Sequence, residues 1–125
     1  MADQHSPRFL AIISDARHRI QEISAPALKE KIENGGSFAL IDVREANEFA
    51  AGRLPGAQHL CKGVIERDIE HAVPDDGTEI VLYCGGGFRS ALAADSLQKM
   101  GYTRVLSLAG GWSGWLKAGY PTAQQ

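Results

Sequence analysis

No apolar run in this 125-residue chain approaches the ~20 residues that a helix needs to cross a bilayer, so no membrane span is expected. Phe9–Ile13 is the longest early apolar stretch. It falls short of the ~7–15-residue core of a secretory signal, and no small-residue cleavage site follows it. The expected location is therefore the cytoplasm. Charge of either sign is also not in excess: 13 lysines and arginines stand against 15 aspartates and glutamates, a net charge of −2. That balance argues against a general nucleic-acid or membrane-surface binder.

Cysteine is scarce. Cys61 and Cys84 are the only two, they form no C-x-x-C pair, and a single domain of this size buries enough core to fold without a bridge. The histidines His5, His18, His59 and His71 are scattered, so the spacing of a metal site is missing and no metal is expected. Both phosphate-cradling glycine patterns, G-x-x-x-x-G-K-[ST] and G-x-G-x-x-G, are absent. There is no internal repeat, linker or low-complexity tract.

What remains reads as one alternating α/β chain. Residues 1–7 are polar and expected to be disordered. Phe9, Ile12, Ile13, Ala16 and Ile20 recur at helical spacing, and predict an amphipathic helix that buries against this domain or a second copy. Ser24 caps a second helix with Pro26 in its first turn, and Gly35-Gly36 ends it. "FALIDV" (Phe38–Val43) and "EIVLYC" (Glu79–Cys84) are short apolar runs, as expected of parallel strands covered on both faces. A brief helix ending at Gly52, a short strand around Ala57–Leu60 and a helix in "GVIERDIEHAV" lie between them. Ala93, Leu97 and Met100 mark a helix that Gly101 stops, "RVLSL" (Arg104–Leu108) is a third strong strand, and "GWSGWLKAG" a last helix. Strands alternating with helices predict a mainly parallel central sheet with helices on both faces. In such sheets ligands sit beyond the carboxyl ends of the strands, which is where Cys84 falls.

The stretch from Cys84 runs Cys-Gly-Gly-Gly-Phe-Arg-Ser into a helix. Glycines let successive N–H groups turn inward as an anion nest, and the helix adds the positive end of its dipole. A thiolate inside that ring is stabilised, which favours Cys84 as a nucleophile over an inert buried thiol.

Three motifs in order carry a family resemblance. "LIDVREANEFAAGRLPGAQHL" (Leu40–Leu60), "YCGGGFRS" (Tyr83–Ser90) and "LAGGWSGWLKAGYP" (Leu108–Pro121) resemble the signature, active-site loop and closing segment of a rhodanese domain. The resemblance implies a rhodanese-like fold over residues 19–121, preceded by an extension (1–18) and followed by a short tail (122–125). It also implies a sulfurtransferase. Cys84 would attack the outer sulfur of a donor such as thiosulfate and hold it as a persulfide, which cyanide or an acceptor thiol then discharges. The N–H groups of Gly85, Gly86, Gly87, Phe88, Arg89 and Ser90 would hold that persulfide, with no metal or organic cofactor. The expected partners are small-molecule sulfur donors and acceptors or a protein thiol, and the first helix leaves monomer or homodimer open.

Alternatives stand beside this reading. The fold also serves non-enzymatic binding modules and carriers in a sulfur relay, while related phosphatases and arsenate reductases use a Cys-x5-Arg loop. Four residues separate Cys84 from Arg89, which suits a sulfur atom better than a phosphate. Arg89 either binds an anionic donor or ties the loop to a carboxylate such as Asp42 or Glu45. Asp42 and Arg44, beside the expected pocket, read either as a loop anchor with a source of positive potential, or as a helix-capping aspartate with a surface or salt-bridged arginine. Cys61, expected after a central strand, reads as a small hydrophobe rather than a second thiol in the chemistry. Trp112 and Trp115 read as packing residues of the last helix, which Gly110-Gly111 turns toward the active-site mouth.

Overall fold

The computed structural model describes residues 5–124. Ser6 accepts a hydrogen bond from the Phe9 N–H and Pro7 lies in the first turn, so helix α1 (Pro7–Arg17) starts earlier than its apolar spacing predicts. This corrects the expectation of a disordered arm for Ser6 and Pro7; the same expectation for Met1–Gln4 lies outside the described residues. Ile13 and Ala16 of α1 are fully buried where the helix packs on α5 (Phe88–Lys99), while Leu10 and Ile12 face solvent. Ile20, expected on the helix face, instead follows its end and packs into the core.

The sheet is five-stranded and wholly parallel, in the order β1–β5–β4–β2–β3 among the described residues. These strands are β1 (Gln21–Ile23), β2 (Ala39–Asp42), β3 (Gln58–His59), β4 (Ile80–Tyr83) and β5 (Val105–Leu108). β1 has no counterpart in the sequence reading. It is a three-residue edge strand with Gln21 and Glu22 exposed, and only its pairing with β5 defines it. β3 is the opposite edge, so Cys61 follows an edge strand and not a central one.

Side-chain alternation along the strands builds two cores. Ile41, Val43, Ile80, Leu82 and Cys84 face α4 (Ile65–Ala72) and α5, where Ile65, Ile69, Ala93, Ala94 and Leu97 meet them. Leu40, Val81, Tyr83 and Leu108 face Leu28 of α2 (Ala25–Glu33) and Trp115 of α6 (Gly111–Lys117). The expected arrangement, a parallel sheet with helices on both faces, is the one observed. Ser24 accepts the Ala27 N–H as the α2 cap, as its sequence position predicts. The chain closes with Ala123 paired to Arg53 by two backbone hydrogen bonds of 2.9 and 2.8 Å. Among the described residues no helix is long and apolar enough to cross a membrane.

Candidate active site

β4 is the middle strand and all four of its residues are buried, so its carboxyl end is a fixed platform. Cys84 leaves that end and α5 begins four residues later, at Phe88. The Cys84 Sγ is nearly inaccessible and accepts the N–H of Gly87 at 3.2 Å and of Ser90 at 3.3 Å. Its thiol also meets the Ser90 hydroxyl at 3.6 Å, and that hydroxyl is 2.8 Å from Ser107 Oγ on β5. Two of the expected loop donors therefore reach the sulfur itself. Phe88 and Arg89 lie in the first turn of α5, where backbone N–H groups have no partner within the helix. Gly85 and Gly86 complete the turn and make no hydrogen bond to Sγ among those found.

The loop is held from outside by its carbonyl groups. Trp112 N–H donates to the Cys84 carbonyl at 2.8 Å, and Ser113 N–H to that of Gly85 at 2.9 Å. The amino end of α6 thus grips the loop by its carbonyl oxygens, while the Gly87 and Ser90 N–H groups face the thiol. Gly111 makes this approach sterically feasible: a Cβ there would stand 2.4 Å from the Cys84 carbonyl oxygen, and its φ is +53°. Gly87, at φ +95°, takes the left-handed turn that starts α5.

Arg89 is paired, but with neither expected carboxylate. Its Nη1 donates to Glu48 Oε1 at 3.2 Å, and the same oxygen accepts the Glu45 N–H at 2.9 Å in the capping box of α3 (Ala46–Ala51). Burial alone would raise the Glu48 carboxyl, but the Glu45 N–H and Arg89 outweigh it and hold its pKa below the ordinary glutamate range. Burial likewise opposes the charge on Arg89, and Glu48 followed by Cys84 overrides it, raising the guanidinium's pKa.

Asp42 is unavailable to Arg89 because Arg44 claims it. Arg44 Nη2 lies 2.7 Å from Asp42 Oδ2, Nε lies 3.0 Å from both carboxylate oxygens, and Nη2 also donates to the Gly52 carbonyl. Both residues are buried, so of the two expectations for Arg44 the salt bridge holds and the surface position does not, and Asp42 caps no helix, since Glu45 holds that position in α3. Burial works against the Arg44 charge, yet Asp42 keeps its pKa raised. The guanidinium lies 4.7 Å from the Trp112 ring, which braces the start of α6 behind the loop. Arg44 therefore supports the site from below and lends it no free positive charge. Trp115 is buried in the second core with its Nε1–H on the Pro121 carbonyl, as a packing residue.

A cavity of about 450 Å³ opens over the thiol, lined by His5, Phe9, Cys84, Gly86, Phe88 and Arg89. His5, Phe9, Glu48 and Ser107 are the site residues that sequence reasoning missed. The Ser6-Pro7 cap signal could have extended the predicted helix to its true start, capped by Ser6 immediately after His5. A second cavity, of about 410 Å³ and lined by Ser37, Val73 and Thr78 among others, sits at the amino ends of the strands and contains neither cysteine nor histidine. Among the described residues no cluster of histidine, cysteine and carboxylates forms a metal site. Cys61 is a half-buried free thiol at the end of β3, and among the hydrogen bonds found none links it to the loop.

The chain is similar to known proteins in sequence and in fold. The chain is 40% identical over 96 residues to YtwF of Bacillus subtilis, covering 77% of this chain and 90% of that one. It is 33% identical over 102 residues to a sulfurtransferase of Allochromatium vinosum, covering 82% and 94%. With YrkF of Bacillus subtilis, 32% identical over 102 residues, it spans only 54% of the relative's length. A solved structure from Rhodopseudomonas palustris, described as a protein of unknown function and possible tyrosine phosphatase, superposes with a TM-score of 0.86 at 28% identity, over 96% of this chain and 98% of that one. The rhodanese-like domain profile matches residues 24–118, so the chain belongs to the rhodanese-like family of sulfurtransferases and sulfur carriers.

Proposed function

We propose that the protein moves a sulfane sulfur from a donor to a thiophilic acceptor through a persulfide on Cys84, in the cytoplasm. The observation that carries this reading is the pair of backbone N–H groups, from Gly87 and Ser90, aimed at Sγ at 3.2 and 3.3 Å. Donors fixed by the backbone stabilise the attacking thiolate and the terminal anion of its persulfide without having to reorganise.

With thiosulfate as donor, the Cys84 thiolate attacks the outer sulfur. The Sγ–S bond forms, the donor's S–S bond breaks, and sulfite leaves with the electron pair. In the second step an acceptor, cyanide or a small-molecule or protein thiolate, attacks the outer sulfur and returns the Cys84 thiolate. Both steps are displacements at sulfur with no net redox change, and they call for no metal or organic cofactor. The loop's N–H groups hold the charge, Ser90 and Ser107 position the thiol, and the grip of α6 fixes the turn.

Intact-mass measurement after incubation with thiosulfate tests this. A gain of one sulfur that Cys84→Ser abolishes is expected, with thiocyanate formed when cyanide is added. No gain, and no thiocyanate, would sink the thiosulfate reaction. The R. palustris neighbour motivates a parallel aryl-phosphate assay. Here the loop holds four residues between Cys84 and Arg89, and Glu48 occupies the arginine, so little turnover is expected. Robust Cys84-dependent phosphate release would reverse the assignment.

A further inference from the structure

The mouth of the Cys84 site is built partly by residues outside the family-matched segment, which begins at residue 24. His5, just ahead of α1, packs at a tilt against Phe88 with ring centroids 4.6 Å apart and lies 5.3 Å from the Phe9 ring. Phe9 and Phe88 are 6.1 Å apart, so three rings form a continuous wall on one side of the cavity. Arg17 holds the wall from behind: its guanidinium lies 5.2 Å from the Phe88 ring centre, and Nη2 donates to the Gly87 carbonyl at 3.4 Å.

Charge at this mouth is already neutralised. Arg89 is paired with Glu48, and Arg17 approaches Glu22 at 3.6 Å. A small dianion such as thiosulfate therefore meets no unpaired arginine among the residues lining the cavity. The cavity's volume of about 450 Å³ lies within the range of organic-ligand pockets, and is far larger than a five-atom ion fills. Aromatic walls gain most from flat or apolar groups that exclude water.

We propose that the α1 segment is the specificity wall of this site, and that the preferred donor is an organic sulfane-sulfur compound, an organic persulfide or thiosulfonate, whose compact apolar group packs against His5, Phe9 and Phe88. The inference rests on the sulfur-transfer reading above. With a thiosulfonate, R–SO2–S⁻, the Cys84 thiolate attacks the terminal sulfur. The Sγ–S bond forms, the donor's S–S bond breaks, and the sulfinate R–SO2⁻ departs with the electron pair; no proton or oxidant is consumed.

Benzenethiosulfonate and thiosulfate form a matched pair of probes, since a phenyl group replaces one oxygen around an otherwise similar sulfur. With cyanide as acceptor, the wild-type ratio of kcat/KM values is expected to favour benzenethiosulfonate. In Phe9→Ala the ratio is expected to fall about fivefold, and further in His5→Ala/Phe9→Ala, as aromatic contact area is removed. Ile12→Ala, on the solvent side of α1, should keep the wild-type ratio and report any general effect of altering the helix. A ratio near unity in the wild type, or one unmoved by Phe9→Ala, would overturn the proposal, whatever happens to the two rates separately. Binding of benzenesulfinate to Cys84→Ser, followed by calorimetry, needs no sulfur transfer. If neither donor loads Cys84, the sulfur-transfer reading falls. Sulfinate binding that weakens in Phe9→Ala would still uphold the aromatic wall, and absence of binding would overturn it.

Discussion

The backbone N–H of Trp112 donates to the carbonyl oxygen of Cys84 across 2.8 Å, so the candidate nucleophile and the last helix share one hydrogen bond. No Cβ fits between them. Gly111→Ala is expected to push α6 off the loop, because its methyl would collide with backbone and not with a movable side chain. Displacement of reacting groups by about 1 Å can cost ~10²-fold in rate, and a loss of ten- to a hundredfold in persulfide loading is expected. The strained φ adds roughly 1–3 kcal/mol of destabilisation, readable as a lower urea midpoint.

The Arg89–Glu48 pair has a signed consequence. Glu48→Gln keeps an oxygen for the Glu45 N–H but removes the charge that neutralises Arg89. The KM for thiosulfate should fall about two- to fivefold, as a charge-assisted contact to the anion replaces the internal pair. Because the Glu48 pKa is depressed in the folded protein, the tether's contribution is present above the ordinary glutamate range and fades as pH falls through the depressed value. Acid should therefore lower KM in the wild type and leave the KM of Glu48→Gln flatter. An unchanged KM in the variant would contradict this.

Asp42 and Arg44 form a buried pair in which each justifies the other. Asp42→Ala strands a buried guanidinium and is expected to cost about 3–5 kcal/mol. Asp42→Ala/Arg44→Met removes the orphaned charge and should recover part of that loss. Chemical denaturation of the three proteins measures it; a double variant less stable than Asp42→Ala would refute the assignment.

Arg19 anchors the segment after α1 to α5 through two contacts with Asp95, at 2.9 and 2.8 Å. Arg19 holds the Asp95 carboxyl below the ordinary aspartate range, against a smaller opposing effect of burial. The stabilisation is then fully present above the unfolded aspartate pKa of about 3.9 and is lost as pH drops through the lower folded value. Asp95→Asn should flatten the fall in thermal midpoint on acidification, and an identical pH profile would exclude the pair as a contributor.

Much of the scaffold was legible because its signals are local. Ser24 with Pro26, the runs ending at Val43 and Cys84, and the glycine-rich turn into α5 each carry their own reason to form. β1 carries none: Gln21 and Glu22 are polar and exposed, and only a partner strand more than eighty residues away makes them a strand. That Arg89 meets a carboxylate was one of the two expectations, but which carboxylate is not legible, for a related reason. Asp42 is adjacent to the loop in topology, but Arg44, two residues on, satisfies it first, whereas Glu48 faces Arg89 because the α3 capping box turns it there. His5 and Phe9 reach the site through the packing of α1 on α5, which no spacing within α1 encodes.

The backbone grip on the loop divides its positions into two kinds. At Gly87 and Gly111 any side chain must distort main chain, so these sites are closed to variation. At Gly85 an added Cβ would meet only the Arg89 guanidinium at 3.2 Å, and at Gly86 the edge of the Phe88 ring at 3.3 Å, both side-chain neighbours with room to yield. The loop's backbone frame is thus independent of what those two positions display. If the loop carries the proposed sulfur transfer, side chains there can reshape what reaches Cys84 without rebuilding the frame itself.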